Sequence, residues 1–494
     1  MSSTFGVYSI ARTGMQANQS ALTVTSHNLS NINTAGFSRQ QVRSVATVTA
    51  YSGHQTEGTG VSVNEVVRAR NELLDNAYHK KNATASYWST KSGMLTYAQQ
   101  ILDEFSTTST TRTTDNNGLQ LKMTDFFNSW DELSQEPGSV NNRKEVVEQA
   151  AALLDCFRKA DEDLANLQRD ASNSTKDIVK EINSIAEQVA ALNVQIAQAE
   201  ATYAQAGDLR DQRDYLLDSL SNYTNFSMQE QANGSVSVEI GGVALVSMDK
   251  TNKLAVTGDG SVGHPLEVQW VGLDQTAKIT SGTLKACLED ADQTGVAAIT
   301  NPVSYNYSAD AISSISNLRQ GLNNVITTLT VKINDLHKAG KGLDGSTGID
   351  FFVPVNANEP LSIDNMQVNP QIASNSNKLA AGNSGQKGDN TVADAIADLK
   401  TAKLYNSDGL SQDITGFYQS LVTWVGTAGS NASGYYDTAS TLANQVDNQR
   451  QGMSSVSLDE EMSNMIMFQN AYGASARVLS TMDNLIAGLI QELG

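Results

Sequence analysis

Small and apolar residues recur with helical spacing at both ends of this chain. The N-terminal seam advances in steps of three and four residues, and the C-terminal seam repeats every seven, with a second row beside it. The N-terminal seam comprises Val7, Ile10, Gly14, Ala17, Ala21, Val24 and Asn28, and the C-terminal rows comprise Leu458, Met465, Tyr472, Leu479, Ile486 and Leu493, then Phe468, Ser475, Met482 and Leu489. Such spacing is typical of coiled-coil faces. It predicts that the termini meet and that the middle of the chain is looped out between them.

The middle of the chain favours long helices. One apolar phase continues from Val146 to Ala199, which at about 1.5 Å per residue predicts a rod of roughly 80 Å. The polar stretch at residues 172–175 is its weak point. Helical spacing also covers residues 70–102, 309–338, 391–403 and 411–451 approximately. The six prolines all lie between Pro137 and Pro370, so the terminal helices meet no proline break.

A different period separates these helical segments. Val236, Val238 and Ile240 alternate after the turn pair Asn233-Gly234, and alternation returns around Val268. This pattern predicts antiparallel strands. The predicted fold class is therefore mainly α with a small β domain. The predicted divisions are a terminal coiled coil from 1–50 with 455–494, a helical bundle from 51–225 with 290–454, and an inserted β domain at 226–289.

Composition narrows the function classes. The 494 residues carry a formal net charge of −20, which disfavours nucleic acid and anionic lipid as partners. Hydrophobic residues make up 39% and aromatic residues 6%, as expected for packed helices with modest cores. We expect no membrane span, because no stretch approaches about 20 apolar residues. The first residues lack a basic and an apolar region, so we expect no cleaved signal peptide.

Candidate chemistry is sparse. The five histidines have no metal-binding or catalytic spacing around them, and no phosphate-binding loop is present. The histidines are His27, His54, His79, His264 and His337. The segment at 343–350 lacks the alternating ligands of a calcium loop, so a tight turn is predicted. Cys156 and Cys287 have no Cys or His at metal-ligand spacing; free thiols are expected and a disulfide between them stays open. We predict no catalytic, cofactor or metal site.

Four segments carry a resemblance to a known family. Residues 30–40, SNINTAGFSRQ, resemble the Asn-rich segment that follows the first helix of flagellar rod, hook and junction proteins. Residues 454–490 resemble the C-terminal helix of the same proteins. Residues 68–88 and 333–352 look like the hook-associated protein 1 family, the first of the hook–filament junction proteins. The long helices of 70–222 fit this family and do not fit hook or rod subunits.

The resemblance implies a structural role. Such a protein joins the hook to the filament as a ring of copies of itself, with hook protein on one side and a second junction protein, hook-associated protein 3, and the filament on the other. It is extracellular and leaves the cell by flagellar type III export. Its export chaperone binds near the C-terminal helix, here at Met462, Met465 and Phe468. The implied assembly surface adds Asn31, Asn33, Gly36 and Phe37 to the terminal seams.

Two other functions stay open at this point. One is another axial subunit, hook or distal rod, which the long helical middle disfavours. The other is an axial protein with an enzymatic or binding function in its β insertion. That insertion is small, at about 60 residues, and its sequence shows no catalytic arrangement.

Overall fold

The computed structural model describes residues 4–52, 55–102, 118–201, 205–261, 264–293, 306–307, 314–407 and 409–493. Long helices dominate these segments, as the apolar spacing predicts. The α-helices are α1 (Thr4–Ser30), α2 (Glu72–Leu102), α3 (Leu119–Gln135), α4 (Val140–Glu200), α5 (Gly207–Tyr223), α6 (Thr283–Ala291), α7 (Ser314–Ala339), α8 (Pro370–Ser374), α9 (Thr391–Ala397), α10 (Ile414–Ser454) and α11 (Leu458–Leu493). Among the described residues, no helix is long and apolar enough to cross a membrane.

The strands are short apart from one hairpin. They are β1 (Gln40–Ser52), β2 (Gln55–Arg68), β3 (Ser227–Glu230), β4 (Val236–Ile240), β5 (Val243–Ser247), β6 (Lys250–Thr251), β7 (Leu254–Thr257), β8 (Glu267–Trp270), β9 (Asn306–Tyr307), β10 (Lys341–Gly342), β11 (Phe352–Val353), β12 (Gln367–Val368), β13 (Ala380–Gly382), β14 (Tyr405–Ser407) and β15 (Leu410–Gln412). The predicted mainly α fold with a small antiparallel β part is confirmed.

Pairing in the sheets is mostly antiparallel. The hairpin of β1 and β2 pairs Gln40 with Arg68 at its base, and β3 to β6 form a four-stranded meander. β7 pairs with β8, and β14 lies between β15 and a parallel β9. β10 pairs with β13, and β11 with β12. The base of the hairpin therefore brings residues 40 and 68 together, so the segment after α1 lies beside the segment before α2.

The helix α4 joins two hydrophobic cores. Its first half contributes Leu153 and Phe157 to a core shared with α2, α3, α7, α9 and α10. Its second half contributes Ile182 and Val189 to a core with α5, α6 and the strands β4, β5, β7 and β8. At 61 residues and about 1.5 Å per residue, α4 is roughly 90 Å long. The polar stretch does not break it, because Thr175 is buried and its hydroxyl bonds to the carbonyl of Ala171.

Candidate functional site

The terminal helices α1 and α11 pack against each other in opposite directions. Near the end of α1, the Nδ2 of Asn28 donates to Glu461 Oε2 at 3.1 Å. Gly14 lies fourteen residues before Asn28, and Ser475 lies fourteen residues after Glu461. A methyl group added at Gly14 would lie 3.5 Å from Ser475 Oγ. From the first contact to the second, the residue number falls along α1 and rises along α11, so the helices are antiparallel.

The structure places most of the predicted seam residues between these two helices. Ala21 and Asn28 are buried, and Val7, Gly14, Ala17 and Val24 are half-buried, whereas Ile10 is exposed. On α11 the half-buried residues are Met465, Phe468, Tyr472, Ser475, Leu479, Met482 and Ile486, whereas Leu458 and Met462 are exposed. The side chains of Leu489 and Leu493 lie outside the described residues. The seam thus closes within one chain, and its role between chains stays a prediction.

Asn28 joins three segments at the base of the seam. Its Nδ2 also donates to the carbonyl of Gln40 at 2.9 Å, and its Oδ1 accepts from the backbone N–H of Gln40 at 2.9 Å. With its bond to Glu461, the buried amide therefore fastens α1 to the first residue of β1 and to the first turn of α11. An amide is suited to this position because it donates and accepts at once.

Arg39 completes the connection to α11. Its Nε donates to Glu461 Oε1 at 2.8 Å, and its Nη1 lies 3.0 Å from Glu460 Oε2. Its backbone N–H donates to the carbonyl of Ser454 at 2.8 Å. Glu461 is buried, so its carboxylate depends on Arg39 and Asn28 for compensation.

The Asn-rich segment turns the chain at the end of α1. Asn31 caps the helix through the carbonyl of His27 and the hydroxyl of Thr34. Gly36 has a φ of +80°, and a methyl group there would lie 3.0 Å from Tyr215. Both the backbone conformation and the close approach favour glycine at this position. Phe37 packs edge-on against His27, with ring centroids 5.4 Å apart. Asn33 is exposed.

A charged cluster attaches the paired ends of the chain to α5. Asp211 on α5 accepts from the backbone and hydroxyl of Ser38 at 2.8 and 2.6 Å. Arg68, at the end of β2, bridges Asp211 and Asp214 at 2.7 and 2.8 Å. Burial alone would raise the pKa of Asp214, but the guanidinium groups of Arg70 and Arg68 outweigh it and lower that pKa to about 2. Asp214 therefore stays ionised at neutral pH.

A second cation links the same region to α10. Arg450 donates to both oxygens of Asp218 at 2.7 and 2.8 Å and lies 4.1 Å above the ring of Tyr78. His79 contacts the same carboxylate at 2.9 Å. Helices α2, α5 and α10 therefore meet at Asp218, next to the point where α11 begins. No periodic pattern in the sequence predicts this cluster, because its members lie far apart in the chain.

The hairpin of β1 and β2 packs on α1. At Gly60, whose φ is +126°, an added methyl group would lie 2.3 Å from the hydroxyl oxygen of Thr13. The backbone N–H of Val61 donates to the same oxygen at 3.3 Å. A groove of about 400 Å³ follows between α1, the hairpin and α11, and Ala17, Val24 and Phe468 line it. We call α1, α11 and the hairpin of β1 and β2 the terminal unit. It is therefore built from three elements rather than two.

One apolar row on α11 is exposed and is not covered by the residues that the structure describes. Met467, Val478 and Leu485 are 54%, 41% and 56% exposed. With Ala474, they follow steps of seven, four and seven residues, so they lie on one side of the helix. We call these four residues the α11 row. Its spacing is visible in the sequence, but the sequence analysis did not predict it, because the heptad of the seam beside it is the stronger pattern.

No catalytic or metal-binding arrangement accompanies this surface. Within the ranges that the structure describes, no group of three or more His, Cys, Asp or Glu residues could hold a metal ion. His54 lies outside those ranges. The segment at 343–350 forms a turn in which Asp344 accepts from the backbone and hydroxyl of Ser346. Cys156 and Cys287 are not joined in a disulfide.

Comparisons with known proteins agree with this architecture. A family model described as "Flagella basal body rod protein" matches residues 9–37, and one described as "Flagellar basal body rod FlgEFG protein C-terminal" matches residues 448–492. These matches cover the paired ends and define the class of flagellar axial proteins. The model described as "Flagellar hook-associated protein FlgK helical domain" matches residues 105–352, half of the chain. The chain belongs to the FlgK family of flagellar hook-associated proteins.

Relatives that match over nearly their full length are also hook-associated proteins. The chain is 29% identical to "Flagellar hook-associated protein 1" of Bacillus subtilis, over 100% of this chain and 99% of that one. It is 24% identical to the protein of that name in Escherichia coli, over 97% and 98%. A solved structure titled as the flagellar hook junction protein FlgK from Burkholderia pseudomallei has a TM-score of 0.60 at 14% identity and covers 77% of this chain and 100% of its own. That structure supports the fold.

Proposed function

We propose that this chain is a structural subunit of the junction between the flagellar hook and filament, and that it has no enzymatic role. The carrying observation is the terminal unit, in which α1, α11 and the hairpin close on each other and leave the α11 row exposed. The relatives' name, hook-associated protein 1, supports the junction. The family match disfavours a hook or rod subunit. No contact in the described structure favours a binding function in the strands at 227–270.

The assembly we propose is a ring of copies joined through their terminal units. Exposed apolar surface on a helix is stabilised when a neighbour covers it, and no part of the chain that the structure describes covers the α11 row. Below the ring lies hook protein, and above it the second junction protein, hook-associated protein 3, and the filament. The predicted assembly residues of the seam act in this proposal by holding α11 so that its row faces neighbouring copies.

The same helix also serves, in this proposal, as the binding site of an export chaperone. Met462 is 48% exposed and accessible, and Ile466 one turn later is 58% exposed. Met465 and Phe468 are half-buried, and Phe468 lines the groove beside α1, so both become more accessible to a chaperone when α11 leaves the seam. This fits export through the type III apparatus in an unfolded form. Flexible methionine side chains suit a helix with two successive partners.

Deletion of the gene tests the proposed function. We expect cells that keep bare hooks, release filament subunit into the medium and regain filaments when the full chain is supplied. Normal filaments on the deleted cells would contradict the proposal.

Paired variants separate assembly from folding. Met467→Asp with Leu485→Asp should leave the monomer's helix content unchanged and abolish filament attachment. Met465→Asp with Phe468→Asp should also loosen the seam, because those side chains are half-buried there. The matched control is Asn470→Asp, an exposed polar site on the same helix. Retained attachment in the first variant would remove the α11 row from the interface.

A further inference from the structure

The four aspartates of α5 lie on one side of that helix, where the terminal unit joins the rest of the chain. They are Asp208, Asp211, Asp214 and Asp218, and their steps of three, three and four residues keep them within about 120° of one another around the helix. Such spacing alone would be typical of a solvent-exposed face. In the structure, however, Asp211 and Asp214 are buried.

Three segments join the terminal unit to the rest of the chain, and they lie side by side. They are residues 38–40, 68–70 and 454–456, and we call them the neck. The backbone N–H of Arg39 donates to the carbonyl of Ser454 at 2.8 Å, and that of Ala69 donates to the carbonyl of Arg39 at 2.8 Å. The neck therefore holds the end of α1 near the start of α11 through bonds that belong to neither of those helices.

Buried polar contacts fasten the neck to α5 without any group of α1 or α11. Asp211 accepts from the backbone N–H and the hydroxyl of Ser38 at 2.8 and 2.6 Å. The Nη1 of Arg68 lies 2.7 Å from Asp211 and 2.8 Å from Asp214, and the Nη1 of Arg70 lies 3.5 Å from Asp214. Separating buried charges from their partners is strongly unfavourable, so these contacts favour a closed neck whether or not the terminal helices are ordered.

The terminal helices are held less firmly than the neck. Among the residues that the structure describes, the hydrophobic clusters include no residue of 4–70 or 455–493. Helix α1 reaches the α5 aspartates through His27, whose Nε2 lies 3.1 Å from the exposed Asp208. Because exposed pairs contribute little to stability, opening of α1 and α11 would leave the contacts of Asp211 in place.

We infer that α5 keeps the neck closed in the free chain, before α1 and α11 become ordered, and that Asp211 is a positioning residue for assembly. This inference rests on the proposed function. While Arg39 and Ser454 stay bonded, the first turn of α11 remains near the last turn of α1. The seam then forms without the full entropic cost of bringing together two ends that are distant in the chain.

Amide hydrogen exchange of the full chain, free in solution, tests the closed neck. The N–H groups of Ser38, Arg39 and Ala69 should exchange several-fold more slowly than those in the middle of α1 and α11. In Asp211→Ala, the neck should exchange nearly as fast as α1, with an unchanged rate in α4. The matched control is Asp208→Ala, at the exposed aspartate of the same side, which should leave the neck protected. A neck that exchanges as fast as α1 in the unaltered chain would overturn the inference.

Attachment of the purified chain to hooks isolated from cells lacking the gene tests the positioning role. Asp211→Ala should attach several-fold more slowly than the unaltered chain, with unchanged thermal unfolding, whereas Asp208→Ala should attach at the normal rate. An unchanged rate in Asp211→Ala, with its neck open, overturns the positioning role and leaves the junction role intact. Failure of the unaltered chain to attach counts against the junction role instead, and the exchange measurement still decides whether the neck is closed.

Discussion

At the scale of single residues, buried polar side chains determine how the ends of this chain meet. One hydrogen-bonded group at the base of the seam joins Asn28, Arg39 and Glu461, although Asn28 and Glu461 are 433 residues apart in the chain. Apolar packing alone would allow α1 and α11 to slide along each other. A buried polar group that must be satisfied fixes the register.

Asn28→Ala tests this role. The substitution leaves the backbone N–H of Gln40 and one side of Glu461 without their partner, and unsatisfied buried groups cost about 1–3 kcal/mol. We expect faster amide exchange at Gln40 and in the first turn of α11, with an unchanged rate in α4. Asn33→Ala, at an exposed asparagine of the same segment, is the control and should change neither. Equal exchange in both variants would show that Asn28 does not set the register.

His337 gives a pH dependence whose sign follows from its contacts. Its Nδ1 lies 2.8 Å from the carbonyl of Ile349, and its Nε2 accepts from the backbone N–H of Ala380 at 2.9 Å, so the ring is held neutral. Burial lowers the pKa of His337 from 6.5 to about 4. Its stabilising contribution is therefore complete above pH 6.5 and is lost as pH falls toward 4, because the unfolded chain takes up the proton first.

Urea unfolding at pH 7 and pH 5 measures this effect. Between these values the native protein should lose on the order of 2 kcal/mol through His337. His337→Gln should be less stable at pH 7 and should show a shallower fall. His264→Gln, at an exposed histidine, should keep the full pH dependence. A fall of the same size in His337→Gln would assign the pH dependence to other groups.

At the scale of elements, α4 connects the two cores and fixes the distance between them. The helix stays regular at residues 172–175 because Thr175 bonds to the preceding turn and Asn173 and Ser174 point to solvent. Both cores are therefore covalently linked through α4. Helix α2 of the first core also packs against α5 and α6 of the second.

Ser174→Pro tests the rigidity of this link. Proline removes one backbone hydrogen bond and clashes with the preceding turn, at a cost of about 3 kcal/mol. Because the position is exposed, the cost falls on the helix rather than on a core. We expect thermal unfolding to separate into two transitions, one per core. Ser174→Ala should preserve the native transition or raise it slightly. One unchanged transition in the proline variant would contradict the role of α4 as the connecting element.

The sequence predicted the elements better than the contacts between them. The long apolar phase of α4 and the alternation of β4 and β8 are local patterns, and the structure confirms them. The cluster around Asp211 and Arg68 could not be predicted, since ion pairs between distant segments leave no periodic trace. The exposure of the α11 row could not be predicted for another reason. Two apolar stripes on one helix overlap in spacing, and sequence alone does not say which one is covered.

At the scale of the whole molecule, the terminal unit differs from the rest of the described chain. It presents exposed apolar surface through the α11 row, whereas the chain's own elements close the two hydrophobic cores that α4 joins. The seam between α1 and α11 is mostly half-buried and contains few fully buried apolar residues. The terminal unit is therefore the part of the described chain that gains most from a neighbour.

Amide hydrogen exchange, compared between the free monomer and the chain on isolated hooks, tests the central claim most directly. In the monomer, α1 and α11 should exchange much faster than the buried parts of α4, because ordering a thin seam costs about 1–2 kcal/mol per residue against little apolar burial. On hooks, both helices should become as protected as α4. Slow exchange of α1 and α11 already in the monomer, or protection gained on hooks only outside the terminal unit, would contradict the account.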